Sequence, residues 1–523
     1  MNSPSDLAGA SLIDALFGVK LSQHARLITI ASSQDSALPQ ALVAERFTGR
    51  EAVNELFSFD VDALSTSTDL DLTSFIGEEL TITLLQPDGS RRAWHGLCTD
   101  AAWLGADGGL ARYRLHLQPA LALLGLRRDS YIFQDKDARD LIGELLADYP
   151  QVRHSFDVAQ ALAVRPIWTQ YRESDLDFLQ RVLAAEGLSW RFEHDQEGDE
   201  PAEGGAAQAR HRIVFFDSQA ALPATPGGDT LRFHGVRASD TDDAIDRFAA
   251  QRRVAANAVS ISSWDPAQLM APAAEQLTSL DIGEMPSLSI YDGSAERRHD
   301  NKARADAHSR VMLQALELDN KQFEGAGAVR RMVAGHGFTL TQHDSYADGD
   351  NSFKTLWVEH EARNNLEPAL GEALSRLTGL AEAGAATLLQ FSDEALEPGT
   401  YRNRFGCVRE AVAIVPRAAA VAQLYTGLDT PPFSARVDTG INHAGVISGM
   451  HSNNFDGGGF NQWVLDDTSG QLRTRLPAAR GRSSISGIWC SRRPARRSAA
   501  RIVGAGLNCA LMRGRLFVAA KVC

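Results

Sequence analysis

The feature that most constrains the fold of this chain is a series of short segments in which apolar and polar residues alternate. Between residues 57 and 64, the side chains of Phe57, Phe59, Val61 and Ala63 all fall on one side of the alternation. Turn-forming residues such as Pro87–Gly89 separate further β-rich segments, at 27–30, 80–85, 94–98 and 113–117. Short strands with turns at hairpin spacing predict a β-barrel or a β-sandwich here.

The spacing of the apolar residues changes to that of a helix after residue 134. Asp135 or Asp137 can cap a helix whose apolar residues share one face: Leu141, Ile142, Leu145 and Leu146. A second helix begins at Ser174, with Asp177 as a short capping box, and ends at Gly187. Its inward positions are Leu176, Leu179, Val182 and Leu183. The alternating strand 188–193 follows, so this region is predicted to be a small α+β insert.

A second β-rich domain with a helix inside it is predicted after an acidic, Gly- and Ala-rich loop at residues 195–209. Its strands are expected at 212–216, 259–264, 338–341 and 355–361, and its helix at 301–317. A short N-terminal helix is also expected, starting at Ser11.

Charge is distributed unevenly along the chain. The formal net charge is −14, yet no Asp or Glu follows Asp467, while 12 Lys or Arg do. An acidic body argues against a nucleic-acid-binding face, which needs clustered basic residues. Only Cys98 and Cys407 lie in that body, which fits a reducing cytoplasm. No secretory signal and no stretch of 18 apolar residues is present, so neither signal-directed export nor membrane insertion is expected.

Several motifs are too specific to be generic features of β proteins. They are, in order, 45–51 (ERFTGRE), 56–59 (LFSF), 75–77 (FIG), 171–175 (YRESD), 178–181 (FLQR), 186–188 (EGL), 323–325 (FEG), 337–341 (GFTLT), 358–361 (VEHE) and 455–467 (FDGGGFNQWVLDD). In this order the chain resembles the VgrG family, the type VI secretion spike proteins related to phage baseplate hubs. The resemblance extends from Ser11 to about Leu476.

The resemblance implies a mainly β fold with an α+β insert, built as two phage-hub-like β-barrels. It implies a non-enzymatic homotrimer that caps a hexameric inner-tube protein, with a spike-tip protein and effectors as further partners. Such a protein is cytoplasmic before firing and is secreted through the type VI machine. The expected segments are 1–24 as a lead-in helix, 25–130 as the first barrel, 131–195 as the insert, 196–400 as the second barrel, 401–476 as a neck remnant and spike start, and 477–523 as an atypical basic tail.

Two departures from the family pattern are expected. Residues 407–415 resemble the segment that enters the neck barrel and residues 421–427 the strand that leaves it, with only Pro416–Ala420 between. Five residues cannot form a barrel whose strands each need about 5–6 residues, so the neck is predicted to be largely missing. From Pro477 onward the composition turns to Arg, Ser, Ala, Gly and Cys. A shift of reading frame near Leu476 is the hypothesis for this tail.

No catalytic, cofactor-binding or metal-binding residue is predicted. His336, His343 and His360 lack the spacing of converging zinc ligands, and Cys490 and Cys509 are isolated. No Gly-x-Ser-x-Gly elbow surrounds Ser448, no carboxylate pair marks a glycosidase, and Asp456–Gly459 lacks the Lys-Ser/Thr of a phosphate loop. Phe460 and Trp463 are interface anchors or core residues, two readings that the sequence does not separate.

Three alternatives remain beside the structural hub. One is a hub fused to a cell-wall-degrading enzyme, which would need a C-terminal catalytic module. Another is a degenerate copy that folds in part and has no function. The third takes the basic run Arg492–Arg497 as a patch for nucleic acid or membrane, a weak signal on its own.

Overall fold

The computed structural model describes most of the chain up to residue 417 and six short strands beyond it. The described ranges are 23, 25–32, 42–107, 110–196, 209–234, 243–263, 271–294, 299, 301–346, 349–366, 396–417, 447–453, 460–466, 473–475, 490–491, 507–512 and 515–520. They belong to two compact units. The first contains Met1–Asn257, Thr278–Leu288 and Val311–Ala418, and the second contains Ala258–Leu277, Ser289–Arg310 and Ala419–Cys523.

The described residues are mostly β-structure, as the alternating segments predict. The strands are β1 Ile28–Ser32, β2 Val43–Ala52, β3 Ser58–Ser65, β4 Glu79–Leu85, β5 Arg91–Asp107, β6 Leu110–Gln118, β7 Arg128–Lys136, β8 Arg153–Asp157, β9 Arg165–Ser174, β10 Ser189–His194, β11 His211–Phe216, β12 Thr230–Arg232, β13 Ile245–Arg252, β14 Ala258–Ser263, β15 Ala273–Leu277, β16 Ser289–Ser294, β17 Lys321–Gly327, β18 Gly337–Thr341, β19 Ser352–Arg363, β20 Thr400–Arg409, β21 Ile447–Asn453, β22 Phe460–Asp466, β23 Arg473–Arg475, β24 Cys490–Ser491, β25 Leu507–Met512 and β26 Arg515–Ala520. The helices are α1 Ala138–Leu146, α2 Asp175–Glu186 and α3 Lys302–Glu317, with 3₁₀ turns at Leu72–Ser74 and Ala120–Gly125.

Six strands of the first unit form a ring, here called the first ring, in the order β1-β4-β5-β6-β3-β2. All of its ladders are antiparallel. The two end strands, β1 and β2, are held together by Asn364, whose side-chain amide donates to the carbonyls of Ile28 at 2.8 Å and Ala44 at 2.6 Å. Gln23 adds a second bridge by donating to the carbonyls of Ile30 at 2.8 Å and Leu42 at 3.1 Å. Side-chain amides therefore replace the missing ladder and satisfy backbone groups that water cannot reach.

A second ring of six strands follows the order β12-β18-β19-β20-β17-β13. A bridge between Phe233 and Ile245 brings β13 back to the residue after β12. The interior is apolar and rich in aromatic rings, with Phe323, Phe353 and Phe405 fully buried. Two rings of strands with separate cores match the predicted pair of barrels.

The α+β insert, here β7–β11 with α1 and α2, is also present. Asp137 caps α1 by accepting a hydrogen bond from the Asp140 amide. Ser174 caps α2, and Gly187 ends it in the left-handed region at φ 69°. Leu179, Val182 and Leu183 are buried as expected, whereas Leu176 is only partly buried and Phe178 takes a central position in the core. The insert and the first ring share one continuous apolar core.

The sheet of the insert continues beyond residue 195. Strand β11 pairs antiparallel with β10 and parallel with β8, so its sheet order is β10-β11-β8. The sequence places residues 212–216 at the start of the second β domain, because chain order alone does not show which sheet a strand joins. The six-segment division of the chain stays a prediction.

The second unit contains the sheet β15-β14-β16, the four strands β21-β22-β23-β24 and the pair β25-β26. Three predicted features lie wholly or partly outside the described residues. They are the N-terminal helix, residues 197–208 of the acidic loop, and residues 418–446 after the start of the neck junction. The strands β21–β26 are described only by their backbone pairing. The shift of reading frame near Leu476 therefore stays a hypothesis.

Replacing Asn364 with Ala should open the first ring between β1 and β2. Two buried carbonyls and the Ile28 amide would lose their side-chain partner, at a cost of about 2–4 kcal/mol in unfolding free energy. Urea unfolding and hydrogen exchange of β1 would measure the effect. Gln251→Ala, at an exposed position of β13, is the control, and equal stability of the two variants would contradict the role of Asn364.

Candidate functional site

The two rings of the first unit are joined by the antiparallel ladder between β2 and β19. It runs from the pair Trp357–Ala52 to the pair Arg363–Arg46. Strand β19 also pairs with β20 along its length, so it contributes to both rings. Because one strand serves two cores, the side chains on its two faces decide how rigidly the rings are joined.

Charged side chains cover one face of the sheet around this ladder, here called the junction face. Their signs alternate from strand to strand, and the strand register places them side by side. In sheet order they are Arg114 and His116 on β6, Asp60 and Asp62 on β3, Arg46 and Arg50 on β2, Glu359 and Glu361 on β19, Arg402 and Arg404 on β20, and Glu324 on β17. Opposite charges on neighbouring strands attract, so this pattern favours the observed register.

The two glutamates of β19 are the centre of the junction face. Glu361 accepts from Arg46 at 2.6 Å and from Arg402 at 2.9 Å. Glu359 pairs with Arg50 at 3.0 Å and lies 3.8 Å from Arg404. Their side chains are only 4% and 7% exposed, so each needs its arginines to offset the cost of leaving water. Each glutamate thereby connects β2 of the first ring to β20 of the second.

The outer part of the junction face contains two more pairs. Arg114 holds Asp62 through two hydrogen bonds, of 2.7 and 3.1 Å. The Nδ1 atom of His116 lies 2.8 Å from Asp60, and this hydrogen bond raises the pKa of His116. These pairs extend the alternation to β6 and leave few of the charges on this face without a counter-charge.

The opposite face of the ladder carries a buried polar group, here called the junction cluster: Glu51, Arg92, His360 and Tyr401. Glu51 accepts from Arg92 and from His360 Nε2, both at 2.9 Å. His360 Nδ1 lies 2.7 Å from the Tyr401 hydroxyl. Because Nε2 donates to the carboxylate of Glu51 in the neutral imidazole, Nδ1 accepts from Tyr401.

Arg92 connects this cluster to the second ring. Its guanidinium donates to the carbonyls of Arg330 and Met332, both at 2.6 Å, while its other nitrogen holds Glu51. It also lies over the ring of Trp94 at 4.2 Å. A single β5 side chain thus binds β2 and the loop between β17 and β18 at once.

The protonation states of the cluster follow from burial and charge. Burial alone would raise the pKa of Glu51, but Arg92 and His360 outweigh it and hold the pKa below its usual range. Burial lowers the pKa of His360 although Glu51 opposes the shift, so the imidazole is neutral at pH 7. Burial raises the pKa of Tyr401. The cluster therefore contains one buried ion pair with a neutral histidine and a neutral tyrosine beside it.

The three histidines considered as zinc ligands each have different neighbours. His360 belongs to the junction cluster, while His336 is buried with Nδ1 at 3.2 Å from the Ala334 carbonyl. His343 accepts from the Ser345 amide and packs on Phe233. Across the ranges that the structure describes, no three His, Cys, Asp or Glu side chains are placed to hold a metal ion. Burial raises the pKa of the Cys98 thiol to about 12 and also raises that of Cys407.

The remaining candidates of the sequence fall in the second unit. Ser448 lies in β21, Phe460 and Trp463 in β22, Cys490 in β24 and Cys509 in β25, all as backbone positions. Residues 456–459 and 492–497 lie outside the described residues. The roles of these residues remain the predictions made from the sequence. No helix in the described part of the chain is both long and apolar enough to span a membrane.

Sequence reasoning missed Arg92 and Tyr401 altogether. It singled out residues 45–51 and 358–361 as motifs but gave their side chains no role. The signal was present in the charges of the two motifs: Arg46 and Arg50 pair with Glu361 and Glu359, and Glu51 pairs with His360. Seeing it required the pairing of two segments more than 300 residues apart.

Comparison with known proteins places the chain among baseplate components. Residues 50–366 match the family model of the phage tail baseplate hub (GPD). The chain is 25% identical over 333 residues to the type VI secretion system spike protein VgrG1c of Pseudomonas aeruginosa, covering 62% of this chain and 43% of that protein. It is 24% identical over 335 residues to the spike protein VgrG3 of Vibrio cholerae, covering 60% and 30%. The chain thus spans less than half the length of these curated relatives.

Two solved structures share the fold at low identity. An Escherichia coli protein, c3393, is described as a type VI secretion component similar to the phage T4 tail proteins gp27 and gp5; it matches with a TM-score of 0.50 at 16% identity, over 94% of this chain and 99% of that one. The lidless PdpA–VgrG complex of Francisella matches with a TM-score of 0.50 at 8% identity, over 95% and 93%.

Replacing Arg92 with Ala should weaken the joint between the rings. Glu51 would keep a buried charge without its cation, and two carbonyls would lose their donor, at a cost of about 3–5 kcal/mol. Arg91→Ala is the matched control, because Arg91 is the neighbouring arginine and makes one bond, to Thr83 at 3.2 Å. Urea unfolding of both variants decides: similar stability would contradict the role given to Arg92.

Proposed function

Because the chain belongs to the phage tail baseplate hub family, and its curated relatives are VgrG spike proteins of type VI secretion, we propose that it is a structural hub component of a secretion spike. It assembles as a homotrimer on a hexameric inner tube and helps to deliver effectors. The observation that carries the proposal is the family match over residues 50–366. It contains strands β3–β6 and the end of β2 from the first ring, the insert, and all of the second ring except β20. The contacts between the two rings support a role in which this part of the chain resists mechanical force.

The junction supports a mechanical function because it joins two cores by ladder hydrogen bonds, ion pairs and Arg92. Two rings in each of three subunits give six rings around an axis, which matches a tube of six subunits. A closed arrangement of three subunits is one of the common symmetric assemblies of identical chains. The buried polar groups at the joint stabilise one relative placement of the two rings.

Exposed apolar side chains support the self-association. Among the described residues, seven of the twelve exposed large apolar side chains fall between Val254 and Tyr291. Within the first unit, the segment Thr278–Leu288 presents Leu280, Met285 and Leu288 to solvent. Asn257 holds this segment by accepting from the Leu288 amide at 2.7 Å and donating to the Pro286 carbonyl at 3.0 Å. Apolar side chains presented on an anchored segment are typical of a protein–protein contact.

The proposed partners follow from the relatives. The Francisella structure is a complex of VgrG with PdpA, which supports an effector or cargo protein as a partner of the hub described here. The inner-tube protein and a spike-tip protein complete the proposed set. The chain acts without catalysis, in the cytoplasm before firing, and leaves the cell through the type VI machine.

Light scattering on purified protein tests the assembly. A trimer of 56.7 kDa chains has a mass of about 170 kDa. The triple substitution Leu280→Ser, Met285→Ser and Leu288→Ser should lower the trimer fraction at a given concentration at least tenfold, because it removes apolar area from the proposed contact. Leu126→Ser is the control, since Leu126 is 85% exposed elsewhere in the first unit.

A second arm removes the residues after Leu476. A trimer that persists without them supports a working hub whose tail takes no part in assembly. A monomer in every form, at concentrations up to tens of micromolar, would contradict the proposed assembly and favour a copy that folds without function.

A further inference from the structure

Three histidines lie where the β10–β11 end of the insert meets the first ring, here called the histidine seam: His95 on β5, His194 on β10 and His211 on β11. His95 and His211 are buried, and His194 is partly buried. The ring centroid of His194 lies 6.2 Å from that of His95 and 6.1 Å from that of His211. Phe57 packs against two of them, at 5.1 Å from His194 and 5.3 Å from His211. We propose that this seam is an acid-sensitive contact that holds the β10–β11 end on the first ring at neutral pH and opens as the medium acidifies.

The hydrogen bonds of the seam require neutral imidazoles. His194 Nδ1 accepts from the backbone amide of His95 at 3.1 Å, and His211 Nε2 accepts from the backbone amide of Ala120 at 2.9 Å. A backbone N–H cannot reverse its role. Protonating either ring would therefore set a donor against a donor, so the proton can be taken up only if the contact breaks.

His95 is held from both sides by a hydroxyl and a carbonyl. Its Nε2 donates to the Asp195 carbonyl at 2.8 Å, so Nδ1 accepts from the Thr81 hydroxyl at 2.9 Å. The Asp195 contact joins the first ring to the residue after β10. Burial lowers the pKa of His95 to about 4, and it lowers that of His194 well below its usual value.

The charged surroundings of the seam offer little compensation for added protons. Glu79 on β4 is the carboxylate that faces it, 3.4 Å from His211 Nδ1 and already bound to the Arg210 amide at 2.7 Å. Arg92 and His360 face His194, and Arg210 faces His95, as positive or protonatable groups. Within the described ranges, no group forms a hydrogen bond with His194 Nε2. New positive charge would thus meet one shared carboxylate and several cations.

The direction of the pH effect follows from these shifts. An exposed histidine titrates near pH 6.5, and the lowered pKa in the closed seam means that the open form binds more protons. Stability of the closed seam is therefore complete above pH 6.5 and is lost as the pH falls toward 4. For His95 alone, a shift from 6.5 to about 4 favours opening at pH 5 by about 30-fold.

The opening is local, because two contacts that hold the rest of the insert contain no titratable group. Asn54 exchanges hydrogen bonds with the backbone of Trp190 at 2.9 and 3.1 Å. The helices α1 and α2 bury their apolar faces in the core shared with the first ring. The strand end near His194 and His211 can separate while the rest of the insert stays in place. The idea that the hub is closed in the cytoplasm and loosened in an acidic compartment rests on the proposed function. The acid sensitivity of the seam does not depend on that function.

Hydrogen exchange of the full chain at pH 7.5 and 5.0, corrected for the intrinsic pH dependence of exchange, tests the proposal. Peptides from Ser189–Gln196 and Ala209–Phe216 should open by more than about 30-fold at pH 5.0, because His194 adds to the share of His95. The histidine-free strands β13 and β17 are the internal reference. No increase in the seam peptides, or an equal increase in the reference strands, would overturn it.

Two variants separate the seam from general acid sensitivity. The double substitution His194→Asn and His211→Gln places an amide oxygen near each accepting nitrogen and cannot be protonated at these two positions. The acid response should therefore fall to the share that His95 supplies, about 30-fold at pH 5.0. Glu79→Gln removes the facing carboxylate and should move the opening to higher pH. His343→Gln, outside the seam, should behave like the parent chain. A double variant that shows the full acid response of the parent would contradict the proposal. If the double variant does not fold at pH 7.5, the comparison of Glu79→Gln with the parent chain still tests it.

Discussion

The rest of the first unit depends on the pairing of β2 with β19. The two strands come from segments about 310 residues apart, and their ladder joins the two rings. A pairing of such sequence separation gains nothing until the chain between has been ordered. The buried glutamates 359 and 361 make it specific, because a shift of one residue would take both from their arginines and turn them toward the core. Register, charge and core packing therefore select the same arrangement.

The two faces of β19 act in different ways. On the junction face, partly exposed arginines surround buried carboxylates, and each ion pair is modest by itself. In the junction cluster, the ion pair of Glu51 and Arg92 is buried with every group tied to a neighbour, so removal of one member leaves a charge without a partner. The outer network guides the pairing of strands, while the inner cluster sets how the second-ring loop sits against β5.

Local elements of the fold could be predicted from sequence, since they depend on neighbours in the chain. The alternation at 57–64 gave β3, and the caps at Asp137, Ser174 and Gly187 gave both helices of the insert. The partner of β11 and the closure of the first ring by Asn364 could not be found this way, because each depends on residues brought together by the fold. The same holds for the site. His360 was visible as part of the 358–361 motif and as one of three histidines weighed as zinc ligands, but its partners were not. Arg92 was visible only as an ordinary arginine of a β-strand.

The charge alternation of the junction face also bears on how the protein can change over generations. Glu359 contacts arginines from both ends of the chain's hub region, at positions 50 and 404. A substitution in one of the three strands therefore leaves charges on the other two without their counter-charge. Exchange of a single ring between relatives by recombination would break this match at several positions at once, whereas transfer of residues 43–409 as one block would preserve it. The two rings are therefore expected to be exchanged as a pair.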